Sequence, residues 1–157
     1  MKPRLYLETT IPGYLTARRS RDLRLAADQE TTEEWWETKR HEYELFTSAE
    51  VIDEVAEGDA AMADARLKVL DGIARLPATD TAVDWAERLL RSGITPANAA
   101  SDALHIAISA AHAMDFLLTW NCKHINNPHL IRRIERACAE RGLVCPVICT
   151  PEELLAP

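Results

Sequence analysis

The chain reads as a three-layer α/β/α domain built on a short-stranded parallel sheet, and three observations carry that expectation. Apolar runs of strand length, Leu5-Tyr6-Leu7, Leu45-Phe46-Thr47-Ser48, Phe116 to Thr119 and Val147-Ile148-Cys149, alternate with longer stretches of helical periodicity. The run Phe116 to Thr119 does not alternate with polar residues, which marks a strand covered on both faces. Strands separated by helices pair in parallel, because the chain must cross back over the sheet between them. At 157 residues the chain is long enough for one hydrophobic core, and residues 1–157 are taken as a single domain without internal repeat or linker.

The elements follow in order. Leu5-Tyr6-Leu7 ends in Glu8-Thr9-Thr10, and Pro12 and Gly13 fit a turn or a helix start. Thr31 and Glu34 are spaced as a capping box for a helix carrying Trp35, Trp36 and Tyr43. Leu45 to Ser48 is the second strand, and Ser48 caps a helix from Ala49 to Glu57 that Gly58 terminates. Helical patterns run from about Ala60 to Arg75 and from Thr81 to Arg91, the latter closed by Gly93. Pro96 opens the next helix, which leads into the Phe116 strand. A helix over Pro128 to Arg141, the strand Val147 to Cys149 and a short helix Thr150 to Leu154 complete the chain.

Composition excludes several classes. The 18 Lys and Arg stand against 25 Asp and Glu, a net charge of −7, so indiscriminate binding of nucleic acid through bulk charge is not expected. Any polyanion must be held locally, and two basic clusters exist: Arg18, Arg19, Arg21 and Arg24, and Lys123, Arg132, Arg133 and Arg136. Cys122, Cys138, Cys145 and Cys149 contain no Cys-x-x-Cys pair and read as reduced thiols. The apolar run after Met1 is cut short at Glu8, so no signal-peptide segment is expected. The longest apolar stretch is broken by His105, Ser109, His112 and Asp115, which excludes a membrane span. A soluble, cytoplasmic protein is expected. Glycine-rich phosphate loops and a Gly-x-Ser-x-Gly elbow are both missing. No spacing among His105, His112, His124 and His129 matches a structural zinc motif.

Asp102 is the most informative residue. It is the only charged side chain in the alanine- and isoleucine-rich segment Ala97 to Ala113. A carboxylate there must find water, a cation or a donor, because burying it unpaired is prohibitive. At 100° per residue, Asn98, Ser101, Asp102, His105, Ser109 and His112 fall in one polar stripe about 100° wide. The other helices carry dense Glu/Arg faces, so this small, His/Ser-rich stripe is read as facing a cleft.

In open parallel sheets ligands gather beyond the carboxyl ends of the strands. Glu8 and Asn121 fall there, and Glu54 lies a turn past the second strand. On helix 49–57, Val51, Ile52, Val55 and Ala56 form the core face. Asp53 and Glu54 then flank the core and Glu50 and Glu57 point away, and geometry alone does not choose between Asp53 and Glu54. With Asp102, three or four oxygen donors can converge. Converging carboxylates repel unless a cation neutralises them, and hard oxygen ligands select Mg²⁺ or Mn²⁺.

The order of segments is more specific than the acids. Tyr6-Leu7-Glu8-Thr9-Thr10, Thr47-Ser48-x-x-Val51-x-x-Glu54, Ala100-Ser101-Asp102-Ala103-Leu104-His105-Ile106-Ala107 and Asp115-Phe116-Leu117-Leu118-Thr119-Trp120-Asn121 together resemble the PIN-domain nucleases. Within these the chain is similar to the VapC-like ribonuclease toxins of type II toxin–antitoxin pairs. The resemblance spans Leu5 to about Thr150. It implies a PIN-like fold and a single-strand RNA endonuclease with one or two Mg²⁺ or Mn²⁺ ions, leaving a 5′-phosphate and a 3′-hydroxyl.

By position, Glu8 stands where the family usually has its first Asp. Glu54 and Asp102 match the second and third acids, and Asn121 takes the place of the fourth, commonly Asp. Thr9 and Thr119 match hydroxyl positions beside the acids, and Asp115 fits the pattern at the mouth of its strand, where it reads as a capping or structural residue. Lys123 and His124 would stand at the rim and meet RNA phosphates. The resemblance further implies a cognate antitoxin, and a homodimer is expected, with Trp35 or Trp36 offered to a partner surface. Two departures matter. Glu8 is one methylene longer than Asp, and Asn121 is neutral, which weakens cation binding. A catalytically silent domain that binds RNA or a protein therefore stays open as the alternative, and a small-molecule α/β enzyme as a third.

Overall fold

The computed structural model describes residues 1–156. Five parallel strands, β1 (Arg4–Leu7), β2 (Glu44–Ser48), β3 (Ala74–Leu76), β4 (Phe116–Leu118) and β5 (Val147–Cys149), form one sheet in the order β3-β2-β1-β4-β5. Helices α1 (Thr10–Thr16), α2 (Leu23–Thr38), α3 (Ala49–Val55), α4 (Ala60–Val69), α5 (Asp80–Arg91), α6 (Ala100–Ala111), α7 (Pro128–Glu140) and α8 (Pro151–Leu155) fill the connections. The chain builds outward from β1 to β3, then crosses back to β4, so the direction of winding reverses between β1 and β4. A cleft opens beyond the carboxyl ends of strands at such a reversal. On the helices, α1 packs with α2 and α4, and α5 packs with α6.

The core explains the short strands. Leu5, Tyr6, Leu7, Leu117 and Leu118 are fully buried, as are Ile106 and Ile108 on α6. The central strands are thus covered on both faces, as the uninterrupted Phe116 run implies. No described helix is long and apolar enough to cross a membrane.

Four element boundaries differ from expectation. Helix α2 starts at Leu23, where the Asp22 carboxylate accepts from the N–H groups of Arg24 and Leu25 at 2.9 and 3.0 Å. Thr31 and Glu34 therefore lie mid-helix, and Tyr43 falls beyond its end. Asp22 is an equally good cap placed earlier, and the Leu-Arg-Leu-Ala-Ala stretch after it favours helix. The segment expected to stay helical to Arg75 instead yields strand β3, whose Ala74 and Arg75 are exposed at the sheet edge and give no apolar signal. Helix α3 closes at Val55, before the expected Glu57. Helix α6 begins at Ala100 and not at Pro96, whose carbonyl closes a turn with the Ala99 N–H at 2.9 Å. Asp102 consequently occupies the first helical turn, where the helix dipole favours an anion.

Candidate functional site

The site is assembled at the carboxyl ends of β1, β2 and β4 by side chains that the parallel sheet delivers side by side. Glu8 directly follows β1, and its N–H continues the ladder onto the Leu118 carbonyl at 3.1 Å. It is only 3% exposed. Three donors converge on one of its oxygens, Oε2: the Thr10 N–H at 3.1 Å, the Thr10 hydroxyl at 2.5 Å and the Thr119 hydroxyl at 2.7 Å. A buried carboxylate needs this company. The arrangement fixes the side chain through one oxygen and leaves Oε1 to face other ligands.

Glu54 is held in the same manner. Ser48 caps α3 by accepting the Val51 N–H at 3.3 Å, which aims the helix so that Glu54 turns toward β1. Its Oε1 accepts the Thr9 hydroxyl at 2.8 Å and meets Nε2 of His105. The two adjacent hydroxyls, Thr9 and Thr10, thus bind one site carboxylate each. Asp53, the other candidate on this helix, is exposed, so the structure turns Glu54 and not Asp53 into the cleft.

Behind Glu54 runs a chain of buried polar groups. His105 is 0% exposed; its Nδ1 lies 2.7 Å from the Tyr6 hydroxyl, which in turn lies 2.7 Å from the Ser48 hydroxyl. With neutral imidazole every proton points the same way, from Ser48 to Tyr6 to His105 to the Glu54 carboxylate. With imidazolium the Tyr6 and Ser48 hydroxyls reverse. His105 and Tyr6 keep their partners in both protonation states. Burial works against charge on His105, yet Glu54, with Glu8 and Glu50 nearby, raises its pKa above the ordinary value. Burial likewise acts to raise Glu54, but His105, Thr9 and Ser101 more than offset it and lower its pKa. Burial also pushes the Tyr6 hydroxyl far above its usual range, so it stays protonated.

Asp102 is half-buried on α6, one turn before His105. Burial raises its pKa and Glu54 adds to the rise, while Asn121, His105 and His124 favour its charged form. Asn121 is oriented by accepting the His124 N–H on Oδ1 at 3.0 Å. Its own N–H donates to the Thr119 hydroxyl at 2.9 Å. Lys123 is exposed and His124 half-buried just beyond. Glu50, expected to point away, instead accepts the Ser101 hydroxyl and ties α3 to α6.

Glu8, Glu54, Asp102 and Asn121 therefore lie on neighbouring elements at the carboxyl ends of the strands, with Thr9 and Thr119 as hydroxyl donors to two of the acids. The expected convergence is looser than the sequence suggests. Among the described residues no three His, Cys, Asp or Glu side chains stand together as a ready ion-binding set. One oxygen of Glu8 and one of Glu54 are taken up by hydroxyls, the Thr10 N–H and imidazole. Asp115 lies at the other end of the sheet, where its carboxylate accepts the Arg4 N–H at 2.7 Å. It joins β1 to β4 and takes no part in the cleft. The polar stripe on α6 is also divided: Asn98 precedes the helix, and Ser109 is buried with its hydroxyl on the Ile106 carbonyl at 2.8 Å.

Tyr6, Ser48 and Thr10 were not anticipated as parts of the site, and His105 only as a member of the stripe. The signal was present. Tyr6 in a buried strand and His105 on an apolar helix each carry polar atoms that must be paired, and they pair with each other and with Ser48 and Glu54.

A search of solved structures finds a chain from the VapBC2 complex of Rickettsia felis, solved with a DNA fragment from their promoter. It covers 93% of this chain and 97% of its own, with a TM-score of 0.60 and 14% identity. No family model and no curated protein matches. The likeness shows the fold, which is the PIN-like α/β/α arrangement anticipated from the sequence.

Proposed function

We propose that the chain is a metal-dependent endoribonuclease, acting as the toxin of a toxin–antitoxin pair in the cytoplasm. What supports the reading is that Glu8, Glu54 and Asp102 come from three separate elements near the reversal point of the sheet, with Glu54 acting on Asp102 and Glu8 on His105, one turn along the same helix. Its donor set suits a hard divalent cation. Glu8 accepts its bonds on Oε2 and Glu54 accepts Thr9 and His105 on Oε1. Asp102 has no cationic side chain bonded to it, and Asn121 adds an amide. These residues would hold Mg²⁺ or Mn²⁺, which when bound supplies Lewis acidity toward a phosphodiester and a water acidic enough to ionise near neutral pH.

The chain's own residues do the positioning. Thr10 and Thr119 lock Glu8, and Thr9 and His105 lock Glu54, so neither acid must reorganise on binding. Lys123 and His124, just past Asn121, would meet backbone phosphates. Hydrolysis breaks the P–O3′ bond, leaving a 5′-phosphate and a 3′-hydroxyl. A small antitoxin and a second copy of this chain are the proposed protein partners. The neutral Asn121 and the long Glu8 favour a second reading, a silent RNA- or protein-binding domain of the same fold. Comparison of Asp102→Asn with the parent on single-stranded RNA in Mn²⁺ buffer separates the two. Loss of cleavage in a folded variant supports the nuclease, and a parent that never cuts supports the silent domain.

A further inference from the structure

At the edge of the cleft, Tyr14 and Trp120 form a stacked pair, their ring planes 8° apart and centroids 5.7 Å apart. Both residues are partly buried. Trp120 is fixed at two points: its N–H donates to the Thr10 hydroxyl at 2.9 Å, and its indole Nε1–H to the Thr32 hydroxyl at 2.8 Å. The same Thr10 hydroxyl donates to Glu8, so the Trp120 backbone is tied through Thr10 to the site carboxylate. Trp120 packs against the hydrophobic core, whereas Tyr14 is not part of it and rests on the indole. Glu8 is close enough to act on the Tyr14 hydroxyl electrostatically. On the other flank, Asn121, Lys123 and His124 follow Trp120 directly in the chain.

A partly exposed aromatic residue stacked on a rigid neighbour, and not part of the core, suits the flat face of another ring. Nucleobases stack on such platforms when a strand is unpaired, and every base offers the required face. We infer that Tyr14 and Trp120 are a stacking platform for one unpaired nucleobase of single-stranded RNA, seating the strand so that its phosphate crosses the carboxylate cleft. The inference rests on the nuclease reading for its substrate and adds the recognition element. It accounts for selection of single strands by a chain of net charge −7: stacking supplies affinity where bulk electrostatics does not.

The test uses fluorescence anisotropy of a labelled RNA pentamer on the full chain carrying Asp102→Asn, so that nothing is cleaved, with parallel pentamers carrying an abasic nucleotide at each position in turn. Tyr14→Ala is expected to weaken binding about tenfold, within the range for loss of one base–aromatic stack. Tyr14→Phe, which keeps the ring, is expected to bind like the parent. At one abasic position the Tyr14→Ala effect is expected to vanish, because the same contact has already been removed from the RNA side. Parental binding by Tyr14→Ala, equal losses on intact and all abasic strands, or no binding of the pentamer by any form would each overturn the platform. If the otherwise unmutated chain cuts RNA yet Tyr14→Ala binds normally, the platform falls and the nuclease stands. If Tyr14→Ala loses binding while the unmutated chain never cuts, the platform stands and catalysis falls.

Discussion

The two ends of the sheet are built on opposite terms. At the amino ends of β1, β4 and β5 the surface is apolar and open, with a concavity of about 730 Å³ lined by Met1, Pro3, Met114, Phe116, Val144 and Val147. Val144 is 78% exposed and Val147 58%. At the carboxyl ends the surface is shallow, yet beneath it lie Glu8, Thr47, Ser48, His105 and Thr119, all buried. Lys2, Asp115 and Cys145 also line this concavity, whereas at the carboxyl ends the polar groups are buried and bonded to one another. Charge density follows from strand polarity: side chains just past the carboxyl ends point into the reversal cleft, where water or an ion must satisfy them.

The largest expected effect separates the ends directly. Asp102→Asn should reduce RNA cleavage on the order of a hundredfold to a thousandfold or more, while Asp115→Asn, at the other end, should leave cleavage at the parental level. A melting curve should show Asp102→Asn at least as stable as the parent at neutral pH, since it removes a half-buried carboxylate whose pKa burial raises. Equal cleavage losses for the two variants would erase the distinction.

Next in size is the buried relay. Tyr6→Phe deletes one hydroxyl, which strands His105 Nδ1 and leaves the Ser48 hydroxyl with the Val51 N–H alone. Leaving buried polar atoms unpaired should cost about 1–3 kcal/mol, read as a fall in Tm.

A smaller effect is the pH profile of stability. Glu54 is lowered from its ordinary 4.5, so its contribution is present above that value and is lost as pH falls through the lowered one. His105 is raised from 6.5, so its contribution is complete below 6.5 and is lost as pH rises through the raised value. The pair therefore stabilises most between these limits, and Tm should decline on the alkaline side. Glu54→Gln should flatten that decline when Tm is measured across pH.

The smallest effect lies at the apolar end. Ala113 closes α6 with φ of +53°, a left-handed conformation that favours glycine. Ala113→Gly should add about 0.5 kcal/mol, the relief of strain less the entropy of glycine, with no change in cleavage.

The sequence disclosed the central strands because their residues are apolar without interruption, and it disclosed Asp102 because a lone carboxylate among alanines has no other reason to be there. It hid β3, whose exposed Ala74 and Arg75 form a strand only because β2 offers an edge to pair with. It also hid the start of α2, where two equally good caps compete and only tertiary packing decides. Glu54 could be separated from Asp53 only through the family resemblance, since both flank the core face of α3. The partners that decide between them, Thr9 and His105, come from elements distant in the chain. The relay was half-legible: Tyr6 and His105 each announce a buried polar atom, but their pairing across 99 positions is a product of the fold.

Calorimetric titration of Mn²⁺ into the parent and into Asp102→Asn tests the central claim most directly. The account predicts saturable uptake by the parent and a loss of at least tenfold in affinity on removing one charged ligand. Absence of uptake by the parent, or indistinguishable isotherms for the two proteins, would contradict it.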